Sequence, residues 1–226
     1  MKTALKICAA TVLLSACVTT EQTEAPAVQS EPVRLSLIEK VQAVVVEAQK
    51  DATEALPEEI AGLKAVESVA DREKNQRGAG FTRVYAGDDV VATVFVYNNQ
   101  NFGISEEADP VLEALMDKHL QEIQAHQDSG LYTNVKIGTK KQRDFRWKGL
   151  KYQVLEADVQ FSQKEETKKS FLVLGANKEL MSYERIRYTY PKSKQSEMNK
   201  TQVAFTRTVM TALQNFAAKQ KKVEAQ

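Results

Sequence analysis

Two cysteines, two histidines and one tryptophan are all that the 226 residues hold of the side chains that most often carry chemistry. Cys8 lies inside an apolar N-terminal run and Cys17 ends it, so the sequence beyond them has no thiol. That excludes a disulfide framework, a thiolate metal site and a cysteine nucleophile in the body of the protein. Any triad must draw on His119 or His126, because such constellations need an imidazole base. No G-x-S-x-G, S-x-x-K, H-E-x-x-H or phosphate-loop pattern occurs, and Gly78-Ala79-Gly80 lacks the third glycine and following helix of a dinucleotide fingerprint. Nine glycines and five prolines are too few for a low-complexity chain. With 31 Lys and Arg against 30 Asp and Glu the charge is close to zero, which argues against nucleic-acid binding by bulk charge.

What is present begins at the N-terminus. Lys2 and Lys6 precede the apolar segment Ile7–Leu14. It is far shorter than the roughly 20 residues that span a bilayer, and it suits a secretory signal. The segment ends in Leu14-Ser15-Ala16-Cys17, which resembles the lipobox of bacterial lipoproteins: a branched apolar residue, two small residues and a cysteine. The resemblance implies diacylation of the Cys17 thiol and cleavage before it, removing 16 residues. Two or more acyl chains anchor a protein stably where one does not. The residue after Cys17 is Val18 rather than the aspartate that marks inner-membrane retention, so the resemblance implies an outer-membrane lipoprotein facing the periplasm.

The chain then divides by texture into residues 1–16 (signal), 17–33 (acylated cysteine and tether), 34–56 (N-terminal helix), 57–220 (main domain) and 221–226 (tail). Val18–Pro32 is rich in Thr, Glu, Gln and Pro and has little to bury. Ser36-Leu37-Ile38-Glu39 fits a capping box, and Val41, Val44, Val45 and Ala48 follow at helical spacing up to Pro57. Leu63–Ala70, Phe81–Tyr85 and Val90–Tyr97 read as strands, with Ala86-Gly87-Asp88-Asp89 a hairpin turn and Val90–Tyr97 apolar on both faces like a central strand. Asp109-Pro110 opens a second helix carrying Leu112, Leu115, Met116, Leu120 and Ile123 on one face. Strands follow over Leu131–Ile137, Gln142–Trp147, Leu150–Phe161, Ser170–Leu174 and Leu180–Tyr190, with Lys148-Gly149 and Ala176-Asn177-Lys178 as tight turns. A last helix from Ser193 or Ser196 presents Phe205, Val209, Leu213 and Phe216. The fold class is α+β: an antiparallel sheet of about six to eight strands with helices packed on it, preceded by an N-terminal helix and tether.

The Gly80–Tyr97 hairpin and the strand Arg187-Tyr188-Thr189-Tyr190-Pro191 leading into a helix resemble uncharacterised bacterial lipoproteins and, more distantly, the PsbP/Mog1 type of α+β sandwich. The resemblance extends over Gly62 to Phe216. It implies an interaction module and carries no catalytic residue across.

Two groups of residues could carry function. The first is a basic, aromatic stretch: Lys136, Lys140, Lys141, Arg143, Arg146, Lys148 and Lys151 surround one acid, Asp144, and Phe145, Trp147 and Tyr152 interleave. On a strand Arg143, Phe145 and Trp147 share a face, as do Arg185 and Arg187, and the two sets make one surface if their strands are neighbours. Arginine forks suit phosphate and carboxylate. The bland alternative is a solvated edge whose aromatics pack. The second group is His119, Glu122 and His126 on one helical face, a weak metal-site pattern, since i, i+7 histidines lie about 10 Å apart along the axis. No cofactor is implied.

The sequence points to a lipid-anchored periplasmic interaction module of the cell envelope, held at the membrane by its anchor, contacting an envelope protein or an anionic envelope polymer and not nucleic acid. A hydrolase or metal-dependent enzyme built on the histidines, or a small-molecule or lipid carrier, are the alternatives. Cys17→Ala should abolish incorporation of a clickable palmitate analogue in bacterial cells and leave the signal uncleaved. Equal labelling of the variant would refute the acylation site.

Overall fold

A computed structural model describes residues 36–104, 110–147 and 150–224, with side chains except at 110, 145–147, 150–152 and 221–224. Helix α1 (Leu37–Glu54) begins where the capping box predicts: the Ser36 side chain accepts from the Glu39 N–H, and the Glu39 carboxylate accepts from the Ser36 N–H. The first two turns stand in solvent. Leu37 is 77% exposed, Ile38 70% and Val44 67%, whereas Val45, Gln49 and Ala52 further along are buried. Gln49 donates to the carbonyl of Met181 at 2.8 Å, tying the helix to a distant turn. At its other end the Arg83 guanidinium donates to the Glu54 carbonyl at 2.8 Å, where a cation suits the negative pole of the helix.

Ten strand segments form one antiparallel sheet. They are β1 (Glu59–Ile60), β2 (Leu63–Ala65), β3 (Ala70–Asp71), β4 (Phe81–Gly87), β5 (Val90–Tyr97), β6 (Thr133–Ile137), β7 (Lys141–Trp147), β8 (Leu150–Gln163), β9 (Glu166–Asn177) and β10 (Ser182–Pro191). The order is β1-β2-β4-β5-β10-β9-β8-β6, with β3 following β2 along β4 and β7 following β6 along β8. The expected strand at Leu63–Ala70 is thus two short pieces. Asp88 and Asp89 both take positive φ (45° and 67°) and join β4 to β5 with Gly87 opposite Val90, the two-residue hairpin that such backbone favours. A second turn of this kind, at Lys164 and Glu165 (φ 49° and 67°), joins β8 to β9. It extends β9 well beyond the expected Ser170–Leu174, because two charged residues gave no glycine or asparagine signal.

Helix α2 (Pro110–Asp128) lies on one face of the sheet. Its Leu112, Leu115, Met116, Leu120 and Ile123 pack with Leu155, Ala157, Val159, Leu172, Leu174 and Tyr183. After a short 3-10 turn at Lys192–Lys194, helix α3 (Gln195–Glu224) covers the other face together with α1. There Phe205, Val209 and Leu213 are fully buried against Tyr85, Val94, Val173, Ile186 and Tyr188. Phe216 is only partly buried, and Ala217 takes the inner place. Asp109, the expected N-cap of α2, and the Lys148-Gly149 turn lie outside the described residues. Leu35–Gln226 forms one compact unit, so the N-terminal helix belongs to the main domain. Among the described residues no helix is long and apolar enough to cross a membrane.

Strand β7 explains much of the basic stretch. It is an edge strand, paired on one side to β8, and Lys141, Gln142, Arg143 and Asp144 are all exposed. Charges on an edge oppose pairing with the sheet of another molecule. Phe205 sets the opposite case, since its ring stands edge-on to both Tyr85 (5.3 Å) and Tyr188 (5.6 Å) in the α3 core. Phe205→Ala should cost ~3–5 kcal/mol in urea unfolding, while Ile38→Ser on the solvated turn should stay within ~0.5 kcal/mol. A Phe205→Ala loss below ~1 kcal/mol would contradict this core.

Candidate functional site

Strand β10 runs down the middle of the sheet, and its alternation sends Tyr183, Arg185 and Arg187 to the α2 side and Ile186 and Tyr188 to the α3 side. Arg185 is therefore a charge in the interior, 17% exposed at its side chain. Its guanidinium lies 3.8 Å from the centre of the Phe95 ring on β5, a cation–π contact strengthened by the shortage of water. Its Nη1 is 2.6 Å from Nδ1 of His119 on α2 and 3.6 Å from the Glu122 carboxylate. Its Nε is buried with no hydrogen-bond partner among the described residues. Burying an incompletely paired cation is costly.

His119 connects this cation to β5. Its Nε2 is 2.8 Å from the Tyr97 hydroxyl, and its Nδ1 is also 3.0 Å from Glu122. A guanidinium can only donate, so Nδ1 accepts from Arg185 and the imidazole proton sits on Nε2, donating to the Tyr97 oxygen. The hydroxyl hydrogen of Tyr97 is then free to donate elsewhere. Burial, with Arg185 adding to it, holds the His119 pKa down at about 4. Burial also pushes the Tyr97 phenol well above its ordinary value. For Glu122 burial works upward, but its closeness to His119 and to the cations Arg185 and Lys118 outweighs it and holds the carboxyl below its usual range. At neutral pH the set is a cation, a neutral imidazole, a neutral phenol and a carboxylate.

These side chains line a cleft of about 310 Å³. One wall is α2, the floor is β5 and β10, and the other wall is the turn at residues 72–80. That turn is built by Glu73, whose carboxylate accepts from the N–H groups of Gly78 (2.9 Å) and Gly80 (2.6 Å). Gly80 has φ of +65°, and a Cβ there would stand 2.0 Å from the Val96 carbonyl. The glycine thus lets the wall lie against β5. The turn adds Arg72 to the lining, and α2 adds Lys118, both on exposed positions. Three cations face one carboxylate, Glu122.

The expected single surface of Arg143, Phe145, Trp147, Arg185 and Arg187 is not formed. Arg143 shares a groove with residues of α3, while Arg185 shares its cleft with α2. They stand on opposite faces because β7 is three strands away from β10 and its register puts Arg143 beside Val154, on the α3 side. Arg143 is paired with the buried Glu156 at 2.9 Å. The side chains of Phe145 and Trp147 lie outside the described residues; their backbones pair with Tyr152 and Leu150. Arg187 is on the same face as Arg185, held by the Ser170 hydroxyl at 3.1 Å and lying over Tyr132 and Phe161. Of the suggested metal ligands, His119 and Glu122 meet, but His126 stacks edge-on against Tyr132, 5.1 Å away. Among the described residues no three His, Cys, Asp or Glu side chains converge as metal ligands would.

No protein-family model matches the chain, and no curated protein matches it. The site must be read from its own chemistry. Sequence reasoning did not single out Phe95, Tyr97, Arg72 or Lys118. A signal existed: an arginine within a two-faced apolar strand demands a partner, and the His119/Glu122 pair on the apolar arc of α2 supplies it.

The linkage is testable. The folded His119 pKa lies below the ordinary 6.5, so the unfolded chain binds the proton more readily. Stability from this group is present above pH ~6.5 and is lost as pH falls toward ~4. Denaturant midpoints should drop across that window, and His119→Phe should flatten the drop. An unchanged slope in the variant would contradict the buried neutral imidazole.

Proposed function

We propose that the protein is a lipid-anchored binding module of the bacterial envelope, facing the periplasm, and that the α2 cleft captures an anionic group of an envelope protein or polymer. The observation that carries this reading is the charge of the cleft among the described residues: Arg185, Lys118 and Arg72 against Glu122 alone, with Arg185 buried and its Nε unpaired there. A carboxylate or phosphate entering the cleft gains a desolvated guanidinium, and charge-assisted hydrogen bonds of that kind are the strong ones. Tyr97 adds a neutral donor. The resemblance to lipoproteins and to PsbP/Mog1-like interaction modules supports the same assignment.

The Tyr97–His119–Glu122 chain favours a second reading, a hydrolase in which the phenol replaces a serine. It is the weaker one. A triad needs the imidazole to donate a hydrogen bond from its Nδ1–H to the carboxylate and to take a proton at Nε2. Arg185 occupies Nδ1 as a donor at 2.6 Å, and an imidazole held at about 4 is a poor base at neutral pH.

The rim tests the proposal without disturbing the core, because Arg72 and Lys118 are exposed. In-cell crosslinking followed by identification of the captured species should give a reproducible partner with wild type. The Arg72→Glu/Lys118→Glu double variant should lose at least ~90% of that capture at equal protein level, and Arg185→Gln should behave likewise. Undiminished capture by the rim variant would overturn the cleft as the contact.

A further inference from the structure

The other face of the sheet carries a second, unrelated concavity. Between α3 and the strands β7, β8 and β9 lies a groove of about 500 Å³, well within the size of small-molecule sites. Gln195, Asn199 and Gln202 line it from α3. Their i, i+4, i+7 spacing puts three side-chain amides along one helical face. Gln202 is 7% exposed, and its side-chain oxygen is buried without a hydrogen-bond partner among the described residues. An orphaned buried acceptor is destabilising unless something donates to it.

The charges in the groove are built as well. Glu156 is buried and held by Arg143 at 2.9 Å, which fixes a carboxylate and a guanidinium fork in the floor. Lys169 and Arg207 also line the groove, from β9 and α3. Neither has an ion-pair partner among the described residues. The lining thus offers planar amides able to donate and accept at once, and four cations (Lys141, Arg143, Lys169, Arg207) against three carboxylates (Asp144, Glu156, Asp158), of which Glu156 is fixed by Arg143.

We propose that this groove is a binding site for an acidic saccharide, a sugar carrying a carboxylate. The amide stripe matches the paired donor and acceptor of neighbouring hydroxyls, and a hydroxyl would satisfy the orphaned Gln202 oxygen. Arg207 and Lys169 take the carboxylate, as guanidinium and ammonium groups do. A ligand with hydroxyls alone leaves the cations unused, and a bare anion leaves the amides unused. The site is independent of the α2 cleft, which lies across the sheet.

Isothermal titration of the purified full-length chain with glucuronic acid and N-acetylmuramic acid tests this, beside glucose, N-acetylglucosamine and acetate as controls. At least one acidic sugar should bind saturably, at least tenfold more tightly than its neutral counterpart and than acetate. Asn199→Ala and Arg207→Ala, both at exposed positions, should each weaken it at least fivefold with unchanged thermal unfolding, and Lys118→Glu should not. No saturable binding of either acidic sugar up to ~10 mM, a range where even weak sites register, would overturn the proposal. So would equal binding of acidic and neutral sugars, which removes the role of the cations, or equal binding of acetate, which reduces the groove to an anion site.

Discussion

Strand β10 pairs with β5 on one side and β9 on the other, from Tyr183↔Tyr97 through Thr189↔Val91 and from Ser182↔Asn177 through Pro191↔Lys168. Everything else hangs on that register. Side chains on a strand alternate, so each residue is committed to one of two cores. Ile186, Tyr188 and Tyr190 go beneath α3, and Tyr183 and Arg185 go beneath α2. A slip of one residue would drive Arg185 and Arg187 into the layer of Phe205 and Leu213 and expel Tyr188. The two apolar cores thus enforce the one arrangement in which a strand interior can hold arginine.

Arg185 exposes a tension between stability and use. A fold selected only for stability would place an apolar residue there, since replacing buried ionic groups by packed hydrophobes is often neutral or better. Here the guanidinium is retained and held at three points: Phe95 beneath it, His119 at one nitrogen, Glu122 nearby. The support is incomplete, because among the described residues Nε has no partner and the nearby carboxylate is half exposed. A group held so firmly and satisfied so partly is what a binding site requires, with the geometry fixed in advance and the last interactions left for the ligand.

The layers were legible because the signals were local and redundant. The capping box at Ser36, the Asp88-Asp89 turn, the apolar stripe of α2 and the Phe205–Leu213 ladder each follow from spacing alone. The β8–β9 turn was not legible, since Lys164 and Glu165 have no intrinsic claim on positive φ and are held there by the long pairing on either side. The site was half legible. Arg185, His119 and Glu122 stood out by type, but their meeting depends on strand order, with β10 inserted beside β5 although far from it in sequence. The same order separates Arg143 from Arg185, which similarity of composition had suggested joining.

Arg185 donating to His119 makes the cleft a fixed array of donors and not a proton relay. The nitrogen resonances of His119 in a histidine-labelled sample at neutral pH report this directly. A bare, acceptor-type Nδ1 with the proton on Nε2, converting to a Nδ1-protonated form when Arg185 is replaced by glutamine, is the expected result. A wild-type imidazole protonated at Nδ1 toward Glu122, or doubly protonated at neutral pH, would contradict it and restore the catalytic reading.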